Sequence, residues 1–272
     1  MPLKQITRDT WRRSFSRILW NGPPLTGKTT GTLTLPRPCH LLVAPGELGY
    51  SSVEPTDDYH IYAWDFDPAL PAIPYAAIWA EIRETVTEIL TGKRGEVASL
   101  VIDGLHKLYD LVMRVDGWTP SLVDDKESGK QYTKYHATFG TFLARVLGSG
   151  IPLVGATAYD GLEAIDPENR KAGTQIYPML PGKMAKEIMG MFPVVFHTAV
   201  EGQRYYWTLR AQGKMQAAGM HIPTRYLALL PDRVEVTVDK RTGAVGGGWK
   251  TIEELLAKVN ASASHTQETK QP

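Results

Sequence analysis

The sequence predicts an α/β protein: a mostly parallel sheet with helices on both faces, extended by antiparallel strands toward its C-terminal end. Three observations carry that reading. Short, continuous apolar runs recur between residues 17 and 157, as in strands buried on both faces. Between them, apolar residues repeat at helical spacing. After residue 190 the pattern changes to paired strand-like runs joined by a short turn, the mark of a hairpin.

The first strand is Arg17-Ile18-Leu19-Trp20-Asn21. Ahead of it, residues 1–14 form a basic N-terminal segment, with Lys4, Arg8, Arg12 and Arg13 against Asp9. Further strands are expected over His40–Ala44, His60–Trp64, Ser99–Asp103 and Ile151–Thr157. Ile78, Ile82, Val86, Ile89 and Leu90 mark one helix. Leu105, Leu108, Val112 and Val115 mark a second, and Tyr135, Phe139, Phe142, Leu143, Val146 and Leu147 a third. Pro193–Ala199 and Arg204–Leu209 flank the turn Glu201-Gly202-Gln203. A strand over Val234–Val238 and a helix over Thr251–Val259 complete one domain, residues 15–259. The polar stretch Asn260–Pro272 reads as a disordered tail.

Composition narrows the function. Of 272 residues, 43% are hydrophobic and 22% charged, which excludes a wholly disordered or fibrous chain. Thirty basic residues balance 29 acidic ones, so no global charge excess points to nucleic acid or a membrane. The lone Cys39 excludes a disulfide framework and a zinc site built on several thiolates. A reducing compartment, the cytoplasm, is the expected location. No run approaches the ~18 apolar residues of a membrane span. The start, Met1-Pro2-Leu3-Lys4-Gln5, has no apolar signal core.

The most specific feature is Gly22-Pro23-Pro24-Leu25-Thr26-Gly27-Lys28-Thr29, followed by Thr30. It satisfies G-x-x-x-x-G-K-[ST] between a strand and a helix, the setting of a Walker A loop. Gly22 and Gly27 let successive N–H groups face phosphates, and the helix N-terminus adds its positive end. Lys28 offsets β/γ-phosphate charge, and the Thr29 hydroxyl is suited to Mg²⁺. ATP and Mg²⁺ are therefore the expected ligands. Asp103, ending the strand Ser99-Leu100-Val101-Ile102, is the expected Walker B carboxylate, beside the Walker A strand. Gly104 follows it, so the base that orients water comes from elsewhere. Glu47, reached through Pro45-Gly46, is the candidate, with Glu54 as alternative. Thr157, at the end of its strand, is the candidate polar sensor near the γ-phosphate.

The order of these motifs resembles that of the RecA-like P-loop ATPases of bacteriophages, among them phage nucleotide-binding proteins of the single-strand annealing type. The similarity covers the Walker A loop, the glutamate after the second strand, Val101-Ile102-Asp103-Gly104 and Thr157-Ala158-Tyr159-Asp160. It continues into Pro178-Met179-Leu180-Pro181-Gly182-Lys183 and Trp207-Thr208-Leu209-Arg210. The resemblance covers roughly residues 15–235 and implies that the domain over residues 15–259 is a RecA-like P-loop NTPase core, acting with ATP in annealing, recombination or replication of single-stranded DNA, alone or with a single-strand binding protein. Relatives often carry histidine where this chain has Tyr159.

In such a core two loops would face DNA, here Asp116–Gln131 and Asp160–Tyr177. Neither is basic, although Trp118, Tyr132 and Tyr177 offer stacking rings. The fold class places ATP between subunits, which implies a homo-oligomer and a cation acting in trans. Lys214 and Arg225 are the candidates, with Arg210 behind them. Two other readings stay open: a nucleotide-switched assembly component, and a small-molecule kinase, although no cluster of lid arginines is present.

Overall fold

Alternation along the central strands decides how the sheet is buried. The protein is described here by a computed structural model. It covers residues 16–64, 72–116, 126–164, 174–181, 183–202, 204–210, 219–220, 230–239, 241–242 and 244–268. In β1 (Arg17–Asn21), Ile18 and Trp20 join one apolar cluster and Leu19 the other. The same split separates Leu41 and Val43 from Leu42 in β2 (Cys39–Val43), and Val101 from Leu100 and Ile102 in β4 (Ser99–Asp103). Successive side chains of a strand point to opposite faces, so a continuous apolar run needs cover on both.

One face is covered by α2 (Tyr75–Leu90), α3 (Leu105–Arg114), α4 (Lys126–Leu147) and α5 (Met184–Met191). Each contributes the stripe its spacing predicts, for example Ile78, Ile82, Val86 and Ile89 of α2. The other face is closed by α1 (Lys28–Gly31), the turn Thr32–Thr34 after it, and α6 (Trp249–Glu268) through Trp249 and Ile252. There Trp20, Phe196 and Trp207 pack ring on ring, with Trp207 centred 5.4 Å from each of the other two.

The remaining strands are β3 (Tyr59–Ala63), β5 (Leu153–Ala158), β6 (Asp160–Ala164), β7 (Thr174–Pro178), β8 (Val194–Glu201), β9 (Arg204–Thr208), β10 (Gly219–Met220), β11 (Arg233–Val238) and β12 (Val245–Gly247). A ten-stranded sheet runs β12-β11-β9-β8-β1-β5-β4-β2-β3, with β10 paired to β8. Strands β8, β1, β5, β4, β2 and β3 are mutually parallel. Pairing turns antiparallel at β9, β11 and β12. No helix among the described residues is long and apolar enough to cross a membrane.

Five expectations change. Asp103 was expected beside the Walker A strand; β5 lies between β1 and β4 instead. Strand β8, expected as the start of the antiparallel part, pairs parallel with β1. Two parts of the expected loop Asp160–Tyr177, Asp160–Ala164 and Thr174–Tyr177, belong to a separate antiparallel pair, β6 with β7. Lys126–Gln131, expected in the other loop, is the first part of α4. Helix α6 continues through Glu268, across much of the expected tail. In both of the last two no proline interrupts the stretch, so the backbone can continue as helix.

Candidate functional site

The sheet order gathers the motif residues at the C-terminal ends of the parallel strands. In open α/β sheets that edge is where ligands bind. Gly22–Thr29 leaves β1, Glu47 follows β2, Asp103 ends β4, and Thr157 and Tyr159 lie at the end of β5 and just beyond it. A cleft of about 470 Å³ opens here. It is lined by residues 24–30, Glu47, the segment Leu48–Gly49, Ser51, Ser52, Asp103, Lys107, Tyr159 and Tyr205.

The loop's shape follows from its glycines and its threonine. Gly27 sits at φ 74, and a Cβ there would meet the Tyr205 ring at 2.7 Å, so no other residue fits without displacement. The Thr26 hydroxyl is 2.6 Å from that of Thr198 on β8 and donates to Pro23 O at 2.8 Å. These bonds tie the loop to the strand beside it. Helix α1 is a single turn and passes into the turn Thr32–Thr34 before Pro36. Lys28 is 6% exposed. Its ammonium donates to Gly22 O at 2.8 Å and Pro23 O at 2.6 Å, and lies 4.7 Å from the Tyr159 ring centroid. Burial pushes its pKa down to about 8, against the opposing pull of Asp103, Asp160 and Glu47.

Asp103 is 2% exposed, and each of its oxygens accepts one hydrogen bond. Its Oδ2 accepts from the Thr29 hydroxyl at 2.8 Å, and its Oδ1 from that of Thr157 at 2.5 Å. Burial raises its pKa, and the two hydroxyl donors work against that rise. Thr157 Oγ1 also accepts from Gly104 N at 2.8 Å. Thr157 therefore stands behind Asp103 and does not line the cleft, unlike the sensor expected there. A Cβ on Gly49 would lie 2.4 Å from Thr29 Oγ1 and 3.3 Å from Asp103 Oδ2. The space left by that missing side chain is bounded by hydroxyl and carboxylate oxygens, the donor set a hard cation prefers. Thr29 and Asp103 therefore fit Mg²⁺ held jointly with phosphate oxygens.

Glu47 is carried to this edge because β2 pairs with β4, and Ala44 N donates to Asp103 O at 2.9 Å. Its Oε1 accepts from the Tyr159 hydroxyl at 2.7 Å. Its Oε2 is buried without a hydrogen-bond partner, 3.8 Å from His106 Nε2. Burial lowers the His106 pKa to about 4, so the ring is neutral at neutral pH, and it packs 4.2 Å from the Tyr159 ring. Glu54 is exposed and does not line the cleft. Of the predicted loop residues, Gly22 and Pro23 contribute carbonyls to Lys28 rather than cleft wall. Lys214, Arg225, Arg12, Arg13 and Trp118 lie outside the described residues. Arg210 is 3.3 Å from Asp232 and donates to Leu230 O.

Sequence reasoning missed several members. His106 carried a weak signal, following Asp103 at the start of a helix. Tyr205 carried none, since it lies far along the chain in a strand read only as one half of a hairpin. Asp160 is bridged by Asn21 Nδ2 at 2.7 Å and His197 Nε2 at 2.9 Å, a contact between three separate strands that no local pattern announces.

A parallel sheet whose first strand feeds a phosphate loop, with a carboxylate at the end of a strand across from it, defines a P-loop nucleotide-binding ATPase domain. The family model described as an AAA domain matches residues 14–218. The chain belongs to that family. Comparison with curated proteins gave no match.

Proposed function

We propose that this domain hydrolyses ATP in a magnesium-dependent reaction with Glu47 as the base that orients water. The observation that carries the reading is the meeting of Lys28, Thr29, Asp103 and Glu47 at one cleft. When ATP binds, Lys28 exchanges the Gly22 and Pro23 carbonyls for β/γ-phosphate oxygens. Thr29 and Asp103 would hold Mg²⁺, which neutralises phosphate charge. Glu47 accepts the proton of a water whose oxygen bonds to the γ-phosphorus as the bond to ADP breaks. Tyr159 keeps the carboxylate turned toward the cleft. The test is steady-state hydrolysis by Glu47→Gln. We expect unchanged ATP binding and turnover slower by on the order of 10²-fold, the range for a general base. Wild-type turnover would remove Glu47 from that role.

Single-stranded DNA is the partner we propose for this turnover. Support comes from the resemblance and from Tyr177 on β7. Tyr177 lines a second cleft, of about 520 Å³, between α3 and the β6–β7 pair. Lys107 lines both clefts, and the Lys186 ammonium lies 5.4 Å from the Tyr177 ring centroid. A ring beside positive charge suits stacking on a single strand. Hydrolysis is measured with and without single-stranded DNA and with nucleoside acceptors. Stimulation by DNA supports this partner. A phosphorylated acceptor supports the kinase alternative, and slow unresponsive turnover supports a nucleotide-switched assembly component.

A further inference from the structure

We infer that the ring of Tyr205 is the platform on which the base of the bound nucleotide stacks. The inference rests on the reading of Gly22–Thr29 as the triphosphate loop. It starts from the sheet order. Glu47, Asp103 and Tyr159 approach the cleft from β2, β4 and β5, all on one side of β1. Tyr205 approaches from β9, across β8, on the opposite side of β1. A triphosphate laid over the loop with its terminal phosphate toward Glu47 sends its nucleoside away from that group, toward β9.

Two tyrosines line the cleft among the described residues, Tyr159 and Tyr205. Tyr159 is already engaged: its hydroxyl by Glu47, its ring by the Lys28 ammonium and the His106 ring. Tyr205 is half-buried, held in place by its contact with Gly27 at the centre of the loop. Leu25, two residues earlier in the loop, also lines the cleft and is 92% exposed. A fixed aromatic ring and an exposed leucine suit a flat base, whose stacking is worth a measurable share of affinity and depends little on base identity. The loop thus reads the phosphates and Tyr205 the ring, with ATP and GTP treated alike by this contact.

The experiment is calorimetric titration with ATP, GTP and inorganic tripolyphosphate. Tyr205→Ala is expected to weaken ATP and GTP about tenfold each, which is 1.4 kcal/mol. Tripolyphosphate should stay within about twofold of wild type, because it has no base to stack. Tyr205→Phe is expected to bind all three as wild type does. Tyr205→Leu, which keeps an apolar side chain under Gly27, is expected to match the alanine variant and guards against a folding defect. Unchanged ATP affinity in both the alanine and leucine variants would overturn the inference. An equal loss for all three ligands would overturn it too, because the ring would then only prop the loop. Lys28→Ala separates the underlying reading: it must weaken tripolyphosphate as well as ATP. If it weakens neither, the loop assignment fails, and the base platform with it.

Discussion

The Tyr159 hydroxyl donates to Glu47 Oε1 across 2.7 Å, so a residue just beyond β5 fixes a carboxylate delivered by β2. Burial, and next the bond to Glu47, raises the Tyr159 pKa. The phenol therefore remains a donor throughout the neutral range. Tyr159→Phe keeps the ring against His106 and beneath Lys28 but releases the carboxylate. We expect turnover to fall about tenfold with KM little changed, the loss expected when one positioning bond disappears. In a Glu47→Gln background the same change should cost almost nothing, because coupled residues are not additive. Equal losses in both backgrounds would assign Tyr159 a purely structural role.

Asp103→Asn should leave metal-free nucleotide binding intact and abolish the magnesium dependence of hydrolysis. Asparagine keeps one acceptor for the two hydroxyls of Thr29 and Thr157 but lacks the charge that would face the cation. Turnover is expected to fall by at least ~10²-fold. The check is ATP titration with and without Mg²⁺, followed by hydrolysis over a range of Mg²⁺ concentrations.

Nucleotide binding is expected to be proton-linked through Lys28. Burial pushes its pKa down to about 8, and triphosphate charge would favour the protonated form. ATP binding at pH 8 should therefore take up roughly half a proton per site. Affinity should decline as pH rises above that value. Calorimetry at pH 8 in two buffers of different ionisation enthalpy measures the uptake, and Lys28→Ala should abolish it along with at least tenfold of affinity. The sign for folding is opposite. Between about pH 8 and the ordinary lysine value, the unfolded chain binds the extra proton, so this group's contribution to stability rises with pH.

Gly155→Ala tests the strand pair that seats the loop. A Cβ at Gly155 would lie 2.2 Å from Trp20 Cζ3, and Trp20 is fully buried. Overpacking of this kind costs about 1–3 kcal/mol. Urea denaturation should show a lower midpoint at unchanged slope. Measured in a Trp20→Leu background, Gly155→Ala should cost less than it does in the wild type, because the ring that the new methyl meets is gone.

Periodicity and local chemistry were enough to place the central strands and the helices between them. An apolar run of five residues records its own burial, and the Gly22–Thr29 loop carries its phosphate-binding chemistry in consecutive residues. Glu47 was legible through its distance from a strand end, and Asp103 because, once the phosphate loop is recognised, a carboxylate closing an apolar strand is what its partner site requires. What the linear pattern does not carry is which strand lies beside which. The pairing of β2 with β4 and the insertion of β5 between β1 and β4 decide which side chains meet. That is why Thr157 ends up behind Asp103 and Tyr159 reaches Glu47. Tyr205 reaches Gly27 through strands joined some 180 residues later in the chain, a contact set by sheet order alone. Local sequence fixes backbone period and burial because those depend on near neighbours. The cleft is assembled from five separate strand ends, and its geometry comes from hydrogen-bond registers between segments distant in sequence.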